Sequence, residues 1–370
     1  MSADALSPRT AEPARGSGGG GSSSGSRPLR QVLLQREAGL AFVTIAVFAF
    51  FSLSAPHFFG LANVYDIARV TTYTLIVAVP MTYLFIAGEF DMSVGPSFAL
   101  CNVFMALLVA DHGVNPWLAA LAAIGLGMTI GAVNGFVTTV IGVPSFIVTL
   151  GMLSVLSGIA LVVTGATAVP MPDGIQSSFF SATNGIIGPL GDLPVSILWG
   201  LAVALIGACF LRYTRFGYHV YATGGNADAA RAAGISPRKV KFLCFVLTGA
   251  ACGLVGALQA GWLKEGDPTI GSDFTLLVMA ATIIGGVALT GGAGSVSGTL
   301  LGAWIIGMLA NGLILLGVES NWNKFFNGVI IVLVASGELA LKNKDRLRGM
   351  LRTLPQRLGQ SGPARFRSRT

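Results

Sequence analysis

The chain has 370 residues, 53% of them hydrophobic and only 11% charged, with a formal net charge of +7. Soluble domains carry about 25% charged residues, so this composition cannot cover a water-exposed globule of this size. Glycine, at 50 residues, is about twice as common as usual, which suits helices that approach closely in lipid. The sequence therefore reads as an all-α polytopic membrane protein.

Residues 1–37 hold Gly-Ser runs and five arginines, and are expected to form a disordered basic tail. No small-residue cleavage site follows the first apolar segment, so it does not read as a removed signal peptide. A bilayer core of about 30 Å takes about 20 helical residues. Windows of that kind predict spans at 38–65, 70–88, 92–110, 117–140, 145–168, 193–211, 242–263, 274–290, 296–317 and 325–341. The spans number about ten, in a transmembrane domain covering 38–341. Gly142-Val143-Pro144 and the glycine-rich stretch 291–298 are the expected breaks within the two longest apolar runs. Residues 342–370 form a second basic tail.

Lys and Arg placement sets the orientation. The tail to residue 37 holds five, segment 212–241 holds six and the tail after 341 holds nine, which is 20 of the 23. Even numbers of spans separate the three segments, so all three, and both termini, are expected on the cytoplasmic side.

Cys101, Cys209, Cys244 and Cys252 lie in apolar stretches without paired spacing and read as small packing residues. His57, His112 and His219 are scattered, so no metal cluster is expected. Asp66 and Arg69, spaced i,i+3, can pair on one helix face. Gly125-x-Gly127-x-x-x-Gly131 and Gly292-x-Gly294-x-x-x-Gly298 lack the lysine of a phosphate-binding loop and read as packing and turn elements. No catalytic constellation is visible, so the chain reads as a non-enzyme.

Segment 212–241 has its own logic. Asn226 is a helix N-cap candidate, Asp228 falls in the first turn, the Ala-rich stretch 227–233 follows, and Gly234 closes it. This describes a short surface helix between two spans, of the kind that docks into a groove of a partner. A charge at Ala230 is expected to block that docking.

Here D-A-A-x-x-x-G at 228–234 resembles the E-A-A-x-x-x-G coupling signature of ABC importer permeases, with Asp in place of Glu. The longer run from Phe216 to Ile235 resembles the form found in ribose-type monosaccharide permeases. Residues 86–95 (IAGEFDMSVG), 142–165 and 285–318 resemble further segments of that family, with Glu89, Phe90, Met92 and Ala288 as departures. The resemblance implies that this is the permease subunit of an importer for a monosaccharide or similar small polyol, in a bacterial inner membrane. It implies cytoplasmic ATPase subunits that bind the ATP, a second identical or homologous permease, and an extracytoplasmic sugar-binding protein. No cofactor of the chain's own and no nucleic-acid partner are expected. The coupling loop implied comprises Gly217, Gly224, Gly225, Asn226, Asp228, Ala229, Ala230 and Gly234.

The candidates for the translocation pathway are Glu89, Asp91, Ser93, Asn134 and Asn311. A carboxylate at the bilayer centre costs roughly 2.5–3.5 kcal/mol, so Glu89 and Asp91 face a cavity or partner, or else sit in a solvated turn with Asp91 capping the next helix. Asn134-Gly135 and Asn311-Gly312 echo each other five spans apart, which fits two inverted five-helix halves meeting at a midplane site. Two rivals stay open. A related permease for branched-chain amino acids fits most of the motifs. An ion-coupled secondary transporter would want more embedded acids and leaves the 228–234 motif unexplained.

Overall fold

The computed structural model describes residues 29–188 and 193–319, with a few further helical positions between 322 and 336. The expected 342–370 tail and most of the 325–341 span lie outside the described residues. The long helices are α1 (Leu29–Ser54), α2 (Leu61–Ile86), α3 (Val94–Ala110), α4 (Pro116–Phe136), α5 (Ser145–Thr164), α7 (Ser196–Tyr213), α10 (Pro237–Leu263), α11 (Phe274–Ile284) and α12 (Val296–Leu315). Shorter ones are α6 (Ser178–Asn184), α8 (Arg215–Gly225) and α9 (Ala227–Ala232). Seven described helices are long and apolar enough to cross a membrane, and α3 and α11 are apolar but shorter. The protein is an all-α polytopic membrane protein, as its composition implies.

Several boundaries differ from expectation, each for a local reason. Helix α1 starts at Leu29, inside the expected tail, and stops at Ser54 rather than running to 65. A turn at residues 55–60, closed by the Gly60 amide on the His57 carbonyl (3.0 Å), lets α2 begin at Leu61. A charge-free window runs through this turn, although Pro56, His57 and Gly60 mark it in the sequence. The break at Gly142 is where expected: α4 unwinds into a π turn at 137–141, Gly142 takes φ 91°, and Pro144 opens α5. Helix α11 ends at Ile284, six residues short of 290. There Gly285 and Gly286 release the chain into a loop that returns through Gly291 and Gly292 at φ 82° and 79°.

The packing is led by a seam between α4 and α10, the most extensive helix pair among the described residues. Ala123, Gly127 and Gly131 on α4 lie against Gly253, Gly249 and Phe245 on α10. A methyl on Gly127 would strike the Gly249 carbonyl, and one on Gly249 would strike Gly127. Backbone thus meets backbone at four-residue spacing, which in lipid replaces the hydrophobic drive available in water. A second seam joins α11 and α12, where Gly298 and Gly302 lie on Gly285 and Ala281. Two small strand pairs, Val169–Pro170 with Glu265–Gly266 and Ile186–Ile187 with Leu193–Pro194, sit at one end of the bundle.

At the other end, three chain segments gather: the α2–α3 link at 87–93, the 214–236 region, and the α11–α12 link at 285–295. The Gly292 amide donates to the Ile86 carbonyl (2.8 Å), and the Tyr221 hydroxyl donates to the Gly294 carbonyl (2.8 Å). This end carries the candidate coupling surface.

Candidate functional site: the coupling surface and a buried polar centre

Helix α8 starts where Thr214 leaves the helical region and its Oγ1 accepts from the Gly217 amide (3.3 Å). Gly217 sits against the Leu211 carbonyl, where any side chain would collide. Sequence reading left 215–225 outside any helix. The spacing of Gly217, Val220 and Thr223, all buried on one face, was the available signal, masked by the glycine pair at the end.

Asn226 then caps α9, its Oδ1 accepting from the amides of Asp228 and Ala229 (3.0 Å each). Asp228 and Arg231 form an exposed pair at 2.7 Å, worth at most about 1 kcal/mol. Gly234 takes φ 81°, a left-handed end that a β-carbon would strain. The start of this helix matches the sequence reading; it ends at Ala232, one residue before the expected Ala233, which serves as its C-cap.

The direction in which it faces does not. Ala230 is only 4% exposed and packs with the core, and Ile235 beside it is buried too. The open face is instead formed by Gly225, Asp228, Ala229, Arg231, Ala232 and Ala233. A charge at Ala230 would therefore be driven into the protein's own core rather than into a partner. The four-residue helical repeat places Ala230 beneath Asn226, and a motif without a helical phase could not say which alanine turns inward.

Gly224 is locked onto the bundle: a methyl there would strike the Ile86 carbonyl and crowd the Gly292 amide. Gly225, one residue on, has nothing near its open side. Through Gly224 the α8–α9 unit thus rests directly on the end of α2.

Beyond Ile86 lie the acidic candidates, and the structure separates them. Glu89 pairs with Lys241 at the start of α10 (2.6 Å), both partly buried. That contact ties the α2–α3 link to the segment leaving α9. Lys241 was missed from sequence, being 152 residues away. Asp91 turns the other way and is 3% exposed. Its Oδ1 accepts from the Ser93 amide (2.7 Å) and the Ser93 hydroxyl (2.6 Å), and its Oδ2 accepts from Asn134 Nδ2 (3.2 Å). Asn134 Nδ2 also donates to Ser93 Oγ (2.9 Å). A carboxylate removed from water is costly unless its lone pairs are met, and here three bonds meet them. The arrangement fastens the start of α3 to the last turn of α4, at the end of the α4–α10 seam.

Thr275 and Gly95 extend this centre. The Gly95 amide donates to Thr275 Oγ1 (3.0 Å), which donates in turn to the Met92 carbonyl (3.2 Å). Gly95 and Gly271 lie backbone to backbone. The entries into α3 and α11, the two short apolar helices, thus cross at one point. Neither Thr275 nor Gly271 carries a sequence signal beyond its type.

Asn311 does not join them. Its Nδ2 donates to Asn63 Oδ1 (2.9 Å) at the start of α2, roughly 35 Å along that helix from Ile86. Of the five pathway candidates, Asp91, Ser93 and Asn134 converge, Glu89 faces the coupling region, and Asn311 stands apart. The Asn-Gly echo places two asparagines in different pairings rather than at one site.

These features define a multi-pass, all-α membrane protein that carries a short capped helix on the surface at one end of its bundle. A family model described as "Branched-chain amino acid transport system / permease component" matches residues 63–335. The chain is 35% identical over 311 residues to the ribose import permease protein RbsC of Escherichia coli strain K12, covering 84% of this chain and 95% of that one. It is 31% identical to the D-allose transport system permease protein AlsC of the same strain (85% and 96% covered). It is 30% identical to the xylose transport system permease protein XylH of Haemophilus influenzae (85% and 99% covered). No solved structure matches the chain. The chain belongs to this family of transport permeases, and the ribose-type resemblance read from its motifs holds.

Proposed function

We propose that this chain is the membrane subunit of an ABC importer that carries a monosaccharide or similar small polyol across a bacterial inner membrane. The observation that carries the reading is the α8–α9 unit: a capped helix with an open face of alanines, seated by Gly224 on the end of α2. A six-residue helix is marginal alone in water, and small exposed side chains permit close approach to a groove. A cytoplasmic ATPase subunit fits that description, and its ATP-driven motion would reach α2 and α10 through Gly224 and the Glu89–Lys241 pair. The termini and the 214–241 segment then lie in the cytoplasm, in keeping with the basic residues there. A second permease completes the pathway, and an extracytoplasmic binding protein delivers the sugar. ATP is bound by the partners and not by this chain.

The relatives' names favour ribose, allose or xylose as cargo, whereas the family description favours a second reading, branched-chain amino acids. Reconstitution in liposomes decides between them. The chain alone should turn over no ATP, and with its ATPase and binding protein it should take up a labelled pentose or hexose. Uptake of L-leucine without any sugar, or ATP turnover by the isolated chain, would contradict the proposal.

A further inference from the structure

At the end of the bundle opposite α8–α9, a cleft of about 270 Å³ opens between the start of α2, the end of α6, the start of α7 and the end of α10. Its chemistry differs from the apolar surface around it. The Arg69 guanidinium lies over the Trp262 ring, 4.6 Å from the centroid, and pairs with Asp66 Oδ1 at 2.8 Å. Asn184 sits on the rim. Ser196 lines the cleft, is only 1% exposed, and its Oγ has no hydrogen-bond partner. Arg69 Nε is likewise buried without a partner. An unmet buried hydroxyl or N–H costs free energy, and two in the wall of one cleft mark a place where a ligand's polar atoms can complete the set.

We propose that this cleft is an entry subsite for a neutral polyhydroxylated molecule, received on the outer face before translocation. The site is neutral overall, because Asp66 and Arg69 compensate each other, so it offers no net attraction to an anion or cation. Asp66 and Asn184 line it with an acceptor and an amide, and just beneath its wall lie the unmet Arg69 Nε donor and the Ser196 hydroxyl, which can donate and accept. A sugar hydroxyl both donates and accepts, and a sugar's C–H face packs against an aromatic wall such as Trp262. A zwitterionic amino acid would have to break the Asp66–Arg69 pair to be held. The volume is close to the lower end of small-ligand pockets. This inference rests on the sugar-permease reading and places a substrate contact within it.

Saturation-transfer NMR on the full-length chain in nanodiscs, with D-ribose, D-xylose and D-allose as probes, tests the cleft directly. At least one sugar should give signal with the wild-type chain. Ser196→Ala removes only the unpaired hydroxyl, which leaves the fold intact, and should weaken binding about three- to tenfold. Asp66→Asn should do the same, and Asp111→Asn, on the exposed α3 end, should not. Absence of signal from all three sugars, or wild-type affinity in both Ser196→Ala and Asp66→Asn, would overturn the subsite. If those variants bind unchanged while the assembled transporter still imports a sugar, only the cleft is lost. If the assembly imports L-leucine alone, the sugar reading falls with it.

Discussion

The α4–α10 seam and the α8–α9 junction are both built on glycine, yet they hold their neighbours in different ways. Along the seam, Gly127, Gly131, Gly249 and Gly253 bring two long helices into continuous backbone contact. At the junction, Gly224 sets a short unit on the end of α2, Val220, Ala230 and Ile235 pack into the core beside it, and polar contacts complete the connection: Glu89–Lys241 and Tyr221 to Gly294. A long dry seam moves as one body, since sliding it would break every contact at once. A short unit seated on the end of α2 passes a push on its open face directly to that helix. The contrast suits a transporter in which a stiff bundle is rocked through a small docked lever.

The seam should give the larger effect when broken. Gly249→Ala puts a methyl into the Gly127 carbonyl and should cost about 1–3 kcal/mol or more, read as lost yield and a lower unfolding midpoint in detergent. Gly125→Ala, two residues before Gly127 but with nothing within 4 Å, should be neutral or up to about 1 kcal/mol stabilising through helix propensity. Similar behaviour of the two variants would mean that the seam is not close-packed.

The polar centre sharpens the same comparison at smaller amplitude. Asp91→Ala strands Ser93 and Asn134 in a buried setting and should cost about 1–3 kcal/mol, with uptake falling in proportion to folded protein. Asp91→Asn keeps the shape and should lose less. Glu89→Gln, at a partly exposed pair, should change stability by less than about 1 kcal/mol but reduce uptake at matched expression. A Glu89→Gln variant as unstable as Asp91→Ala would make the two acids equivalent and erase the distinction between centre and junction.

Much of this was legible in the chain. Gly142-Val143-Pro144 announced the reversal before α5, the glycine repeats announced close helix packing, and Asn226 and Gly234 bracketed α9. Each of these signals is local: a turn conformation, a missing β-carbon, a side chain that reaches an amide two residues on. What stayed hidden is what depends on distant partners or on helical phase. Lys241 is a surface basic residue until Glu89 comes beside it, and Thr275 is one threonine among many until Gly95 does. Ala230 and Ala229 are identical in sequence, and only the rotation of α9 about its axis tells which one is covered. The turn at 55–60 carried its signal in Pro56, His57 and Gly60, which a window that counts only charges passes over.

Copurification of the ATPase subunit with Ala229→Glu is the most direct test of the docking role given to α9. Ala229 lies on the open face and Ala230 beneath it. Ala229→Glu should therefore insert at wild-type levels with an unchanged unfolding midpoint, yet lose the ATPase subunit on purification and lose uptake. Ala230→Glu should instead lose folded protein. Retention of the ATPase and normal uptake by Ala229→Glu would contradict the assignment of α9 as the coupling helix.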